Sequence, residues 1–169
     1  MNINIIVAID LNRGIAKDGK LPWSIPDEMA FFKQKTDNQL VIMGRKTANS
    51  LKHGKLLNRM NFVLTRKKKF ETWDAYKFYF EDVNLAIESA KKYTERYGLD
   101  QIWVIGGLEI YKLFIPIADK IYMSVIQDEY DCDQFFPHLN LNIWDLKSRY
   151  SPSEKFKIYE YERKNNVFP

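Results

Sequence analysis

Runs rich in β-branched and aromatic residues alternate along this chain with stretches of helical periodicity, which predicts an α/β fold with helices covering the faces of a sheet. Two further observations sharpen that expectation. LVIM at 40–43 and WVI at 103–105 are uniformly apolar, as central strands buried on both faces are, and each run ends in glycine. Between Trp144 and Tyr161 two strand-like runs flank SPSEK, which predicts an antiparallel hairpin closing one edge.

Taken in order, the strand-like runs fall at 4–9, 39–43, 61–65, 77–80, 101–105, 120–126 and 155–161. Helical patterns occupy 27–35, 47–51, 83–97 and 109–114. No repeat, low-complexity linker or abrupt change of composition divides the chain, so one domain over residues 1–169 is expected. With 46% hydrophobic and 15% aromatic residues, it can enclose a ligand pocket.

The longest apolar runs, IIVAI and FIPIA at 114–118, fall far short of the ~20 residues of a membrane span. The N-terminal residues lead straight into IIVAID, with no basic head or cleavage pattern of a secretory signal. A single cysteine, Cys132, permits no internal disulfide, so a cytoplasmic protein is expected. Neither His53 nor His138 completes a recognised Cys/His signature, which makes Cys132 a bystander; no metal site is expected. A net charge of +4 and a pI near 9.0 favour anionic partners without choosing among nucleic acids, membranes and small phosphorylated or carboxylated ligands.

LPWSIPDEMAFFKQKT, residues 21–36, starts a helix just after Pro26, a residue suited to a first turn. At roughly 100° per residue, Ile25, Met29, Phe32 and Thr36 form one stripe, Asp27 points nearly opposite it, and Glu28 lies at its margin between Phe31 and Phe32. Glu28 is therefore the acid carried inward. The plainer account is that both acids complement the helix dipole. Dipole and hydrogen bonds would lower the pKa of Glu28 and desolvation would raise it, so the sign stays open.

Three strand ends are candidate anion sites. In VIMGRKT, residues 41–47, Gly44 permits close approach and Arg45, Lys46 and Thr47 open the next helix; a solvated helix start fits as well. In WVIGGLEIY, residues 103–111, Gly106 and Gly107 would let backbone touch a pyrophosphate or a flat ring, or serve packing alone. In FVLTRKKK, residues 62–69, Thr65 and Arg66 can grip a phosphate monoester, while Lys67, Lys68 and Lys69 read as a solvated turn. Neither G-x-x-x-x-G-K-[ST] nor G-x-G-x-x-G occurs.

The ordered set GIAKDGKLPWSIPDEMAFFKQKT, VIMGRKT, LLNRMNFVLTR, VIGGLEIY and DQFFP resembles the dihydrofolate reductase family over about residues 4–162. The resemblance implies a mixed, mainly parallel eight-stranded sheet flanked by helices. It also implies hydride transfer from NADPH to dihydrofolate, giving tetrahydrofolate for one-carbon and thymidylate metabolism. In that family an Asp or Glu two residues after the second proline of LPW-x-x-P hydrogen-bonds the pterin and favours protonation at N5 through water; here it is Glu28.

Site by site, the resemblance implies that Ile6, Val7 and Ala8 border the pterin, that Phe32 lies against its face, and that Ser124 supports the acid. Phe31 and Leu56 would enclose the benzoyl portion, and Arg59 would fork onto the glutamate carboxylate. Arg45, Lys46 and Thr47 would contact the cofactor phosphates, and Thr65 and Arg66 would select the 2′-phosphate of NADPH. Ala8 and Ile15 would flank the nicotinamide. Gly44, Leu64, Ile105, Gly106, Gly107, Leu108, Glu109, Ile110 and Tyr111 would complete the cofactor wall. Leu21 and Trp23 belong to a closing loop that shields the reaction from water. A free monomer, without membrane or nucleic acid, is implied.

This chain departs from the family pattern at several positions. Ala16 stands for a glycine, Leu108 for a small residue, Lys55 and Leu57 for prolines ahead of Arg59, Ser124 for a threonine, and Cys132 for a glycine before Asp133. Two other readings compete. A nucleic-acid module would use Arg66 to Lys69 and the strand YKFYF, but the 22 acids are spread throughout and no binding motif appears. A pyrimidine reductase of riboflavin synthesis would share fold and cofactor, yet gives no reason for Glu28 beside an apolar slot and Arg59.

Overall fold

The computed structural model describes residues 1–67 and 74–165. In chain order the elements are β1 (Asn2–Ile9), β2 (Gly14–Ala16), α1 (Pro26–Thr36), β3 (Leu40–Gly44), α2 (Arg45–Ser50), β4 (Met60–Leu64) and β5 (Lys77–Phe80). There follow α3 (Val83–Tyr97), β6 (Gln101–Val104), α4 (Leu108–Phe114), β7 (Lys120–Ile126), β8 (Gln134–Phe135), β9 (Trp144–Ser153) and β10 (Phe156–Arg163). Eight strands form one sheet in the order β5-β4-β3-β6-β1-β7-β10-β9. Every pairing from β5 to β7 is parallel, and β10 runs antiparallel to both β7 and β9. The mixed, mainly parallel eight-stranded sheet with a C-terminal antiparallel hairpin is the expected one.

Side chains alternate between two apolar layers, as the two-residue strand period requires. Ile3, Ile5, Val7 and Ile9 of β1, Leu40 and Ile42 of β3, and Ile102 and Val104 of β6 meet Ala86 and Ala90 of α3 and Ile110, Tyr111 and Phe114 of α4. Ile6, Val41, Met43 and Trp103 turn the other way, toward Phe31 of α1 and Ala48 of α2. Uniformly apolar strands were thus the mark of a sheet covered on both faces.

The neighbours β1 and β6 send their chains to opposite faces, β1 through α1 to β3 and β6 through α4 to β7. A crevice opens beyond the carboxyl ends of strands at such a reversal. Gly44 and Gly106 both end there, and the Gly44 amide donates to the Gly106 carbonyl at 2.8 Å.

Two expectations need correction. Met29 does not share the buried stripe of Ile25 and Thr36: it is 59% exposed, and Glu28 and Phe31 face inward in its place. The inward face of α1 is set by Glu28, Phe31 and Thr36, with Phe31 in the same apolar cluster as Ile6, Trp23 and Ile25. The second is an omission, a minor sheet in which β2 pairs antiparallel with β8. Its strands of three and two residues are too short to carry a periodic signal.

Candidate active site

Glu28 enters from the first turn of α1, with Pro26 in the first position and Asp27 left outside. Its side chain is buried, with 7% exposure for the residue. Burial raises its pKa above the ordinary carboxylate range, and the Ser124 hydroxyl pulls it partly back. Ser124 sits on β7 directly across from Ala8 of β1, which aims its side chain at the crevice. Its Oγ makes no hydrogen bond of standard geometry with the described residues, so the approach to Glu28 is a loose one. Desolvation outweighs the Ser124 hydroxyl, so the pKa is raised, the sign the sequence left open.

Tyr111 ties the two halves of the crevice together. Its hydroxyl, fully buried, donates to the Ile6 carbonyl at 2.9 Å, and burial, reinforced by the nearby Glu28 charge, pushes its pKa far up. The same ring lies beneath Gly106, whose φ of +114° suits glycine and where a Cβ would come within 3.0 Å of the phenol oxygen. Ile6, Ala8, Phe31 and Phe32 gather on one face of the sheet, with Glu28 and Ser124 beside them. Val7 differs in orientation, since it turns into the opposite apolar layer.

Arg59 is buried at 8% exposure, yet it is not a stray charge. Its Nε donates to Thr36 Oγ1 at 3.0 Å, one Nη donates to the Leu57 carbonyl at 2.6 Å, and Asp37 lies 3.8 Å from the other. Burial lowers its pKa and Asp37 opposes that only in part. Those bonds fix the plane of the guanidinium and leave further donors unspent. Sequence reasoning missed the device that shapes the loop ahead of Arg59. The buried Asn61 amide accepts from Leu56 N at 2.8 Å and donates to the carbonyls of Leu56 and Arg59, both at 2.9 Å. One asparagine thus holds a segment where Lys55 and Leu57 stand for prolines. A buried asparagine at the head of an apolar strand was the available signal.

Across the crevice, α2 and α4 begin at Gly44 and Gly107 without side-chain caps. Thr47 Oγ1 would be 3.6 Å from a Cβ at Gly107, so the two helix starts converge. Arg45 and Thr47 are half-buried and Lys46 is exposed. Leu64 and Thr65 are buried at the end of β4, Thr65 Oγ1 accepts from Lys67 N at 3.1 Å, and Arg66 is exposed. Ile105 and Leu108 are half-buried, Ile110 is buried, and exposed Glu109 pairs with Lys112 at 3.4 Å. Lys68 and Lys69 lie outside the described residues.

Ile15 is buried in β2. Leu21 is 58% exposed, whereas Trp23 is buried with its indole nitrogen unpartnered and its ring 5.3 Å from Tyr130. Of the aromatic strand proposed for nucleic acid, Phe78 and Phe80 lean on Phe62, at 6.1 and 4.7 Å. Among the described residues no helix is long and apolar enough to cross a membrane, and no group of His, Cys, Asp or Glu could hold a metal.

Comparison with known proteins bears on this geometry. The dihydrofolate reductase family profile matches residues 2–165. The dihydrofolate reductase of Haemophilus influenzae is 40% identical over 147 residues, covering 87% of this chain and 86% of that protein. That of Sus scrofa is 32% identical, covering 96% and 98%. A solved structure of dihydrofolate reductase from Enterococcus faecalis, complexed with NADP(H) and RAB-propyl, superposes with a TM-score of 0.81 at 27% identity, covering 97% of each chain. With its crevice, its inward acid and its full-length match, the chain belongs to the dihydrofolate reductase family.

Proposed function

We propose that the NADPH-dependent reduction of dihydrofolate takes place in the crevice between β1 and β6, with Glu28 as the group that directs the proton. The observation that carries this reading is a buried carboxyl group with a raised pKa, beside Ser124 and Tyr111 and near the carboxyl ends of the central strands. A raised pKa keeps a larger share of Glu28 protonated near neutrality, which is what an acid working there requires.

The residues present fit the cofactor. Gly106 and Gly44 are bare where a Cβ would come within 3.0 Å of Tyr111 and Ile110, and the space above Gly107 is open to 3.6 Å. Gly44, Gly106, Gly107 and Leu108 would offer backbone to the cofactor, with Ile105, Ile110 and Tyr111 behind them and Glu109 at the rim. Arg45, Lys46 and Thr47 would hold its phosphates. Leu64, Thr65 and Arg66 would receive the 2′-phosphate, and Ala8 and Ile15 would flank the ring. Bound NADPH supplies the hydride that reaches pterin C6.

On the substrate side, Ile6 and Ala8, with the Val7 backbone between them, would border the pterin and Phe32 would face it. Glu28, supported by Ser124, would bond its amino-pyrimidine edge and favour a proton at N5 through water, so that the C6=N5 bond becomes single. Phe31 and Leu56 would enclose the benzoyl group. Arg59, its plane already set by Thr36 and Leu57, would meet the glutamate carboxylate with two parallel donors. Leu21 and Trp23 would close over the ring pair and exclude water. A single-domain monomer of the cytoplasm completes the reading, supported by the family resemblance.

The test is purified protein with NADPH and dihydrofolate, following loss of the reduced cofactor's near-ultraviolet absorbance. Turnover blocked by a diaminopyrimidine antifolate is the expected result. Absence of turnover with both ligands saturating would refute the reading.

A further inference from the structure

Asp37 stands where helix physics disfavours an acid. It is the C-terminal cap of α1, where the carbonyls of the last turn carry partial negative charge. Its Oδ1 is buried without a hydrogen-bond partner among the described residues, and its Oδ2 has the Asn38 side-chain amide at 3.5 Å. The cation that faces it is the Arg59 guanidinium, with an Nη 3.8 Å from that Oδ1. Of the basic residues in the last turn of α1, Lys33 is exposed and Lys35 Nζ lies 4.8 Å from the centre of the Tyr122 ring.

Arg59 does not need this contact for its orientation. Its Nε is already held by Thr36 Oγ1 at 3.0 Å and its other Nη by the Leu57 carbonyl at 2.6 Å. Nor does the contact hold the two segments together. Asn38 N donates to the Asn58 carbonyl at 2.8 Å, and Met60 N donates to the Gln39 carbonyl at 3.0 Å. The backbone fixes the distance, and the carboxylate adds charge. At 3.8 Å it is close enough to offset part of the charge of the guanidinium and too far to consume its donors.

We propose that Asp37 determines specificity through Arg59: it is a resident carboxylate that weakens the hold of the arginine on the glutamate carboxylate of the substrate. It thereby sets how strongly the site prefers a pterin that carries this tail to one that ends at the benzoyl group. The proposal rests on the reductase reading of the crevice, with Arg59 as its carboxylate fork. A second carboxylate brought to the same guanidinium meets a like charge at close range, in a partly buried setting that salt screens incompletely. The effect is confined to the tail, because Glu28 lies at the other end of α1, roughly 13 Å away along the axis at 1.5 Å per residue.

The experiment titrates wild type and Asp37→Asn with dihydrofolate and with dihydropteroate, which has the same pterin and benzoyl group and no glutamate. Asparagine keeps the shape and removes the charge. The expected result is a dihydrofolate dissociation constant lowered about three- to tenfold, with dihydropteroate and NADPH within about twofold of wild type. The gain should shrink as salt rises and disappear in the Arg59→Ala background, as a charge acting through that guanidinium requires. Should Asp37→Asn fail to fold, Asp37→Ser decides, with the same gain expected. In a folded variant, dihydrofolate affinity unchanged or weakened, both pterins tightened alike, or a gain that survives Arg59→Ala overturns the proposal while the reductase reading stands. A wild-type protein that neither turns over nor binds dihydrofolate overturns that reading and this one with it.

Discussion

On the substrate side of the crevice, Arg59 is buried and donates to Thr36 and Leu57; on the cofactor side, Arg66 stands exposed after a buried Thr65. The same contrast recurs between Glu28, buried, and Lys46, open to solvent. One side presents side chains preset by internal hydrogen bonds, the other bare glycines with exposed cations near them. A preset group loses little freedom on binding and suffers when its setting is disturbed, whereas an exposed cation acts mainly through charge and is screened by salt.

The sharpest way to break this comparison is Glu28→Gln, which removes the proposed proton-directing group and keeps the shape. Turnover at neutral pH is expected to fall about 10²- to 10⁴-fold, and full neutral-pH activity in the variant removes the assigned acid. Stability should move the other way. Because folding raises the pKa of Glu28, its protonated form favours the fold below the unfolded pKa, and that contribution is lost as pH rises through the folded pKa. At neutral pH the glutamine variant should therefore melt about 2–4 °C higher, with the advantage vanishing in acid, as calorimetry across pH would show.

Next in size, Arg59→Ala should raise the dissociation constant for dihydrofolate about 10- to 100-fold, measured by titration, with NADPH affinity nearly unchanged. Equal weakening of both ligands would mean that the loop, and not the guanidinium, was lost. Arg66→Ala should narrow the preference for NADPH over NADH by about tenfold, and its effect should shrink as salt rises. An unchanged cofactor ratio refutes that role. The smallest effect belongs to Ser124→Ala. Removing the hydroxyl that lowers the Glu28 pKa should shift the alkaline limb of the activity profile to higher pH, with the maximal rate changed less than about tenfold. A shift to lower pH would show that Ser124 acts on the other protonation state.

How much of this was legible beforehand differs between the two walls. The proposed cofactor wall is local in sequence: an apolar run, one or two glycines and a helix start occupy consecutive positions, so VIMGRKT and VIGGLEIY display their geometry directly. The substrate wall is assembled from α1, β1, β4 and β7, and periodicity could choose Glu28 over Asp27 but misplaced Met29. The contacts that set Arg59 come from Thr36, 23 residues away, and the reach of Asn61 to Tyr76 spans 15. No spacing rule announces such pairs.

By itself, the order of residues determined the alternation of strands and helices, the double-sided burial of the centre and the inward acid, because each follows from repeats of two or 3.6 residues and from glycine's freedom of backbone. Only the folded arrangement decided that desolvation raises the pKa of Glu28 against the pull of Ser124, that the Tyr111 hydroxyl reaches the Ile6 carbonyl, and that Asp10 joins segments more than a hundred residues apart. Burial and long-range hydrogen bonding depend on which distant segments come to lie together, and that is a property of the packed chain as a whole.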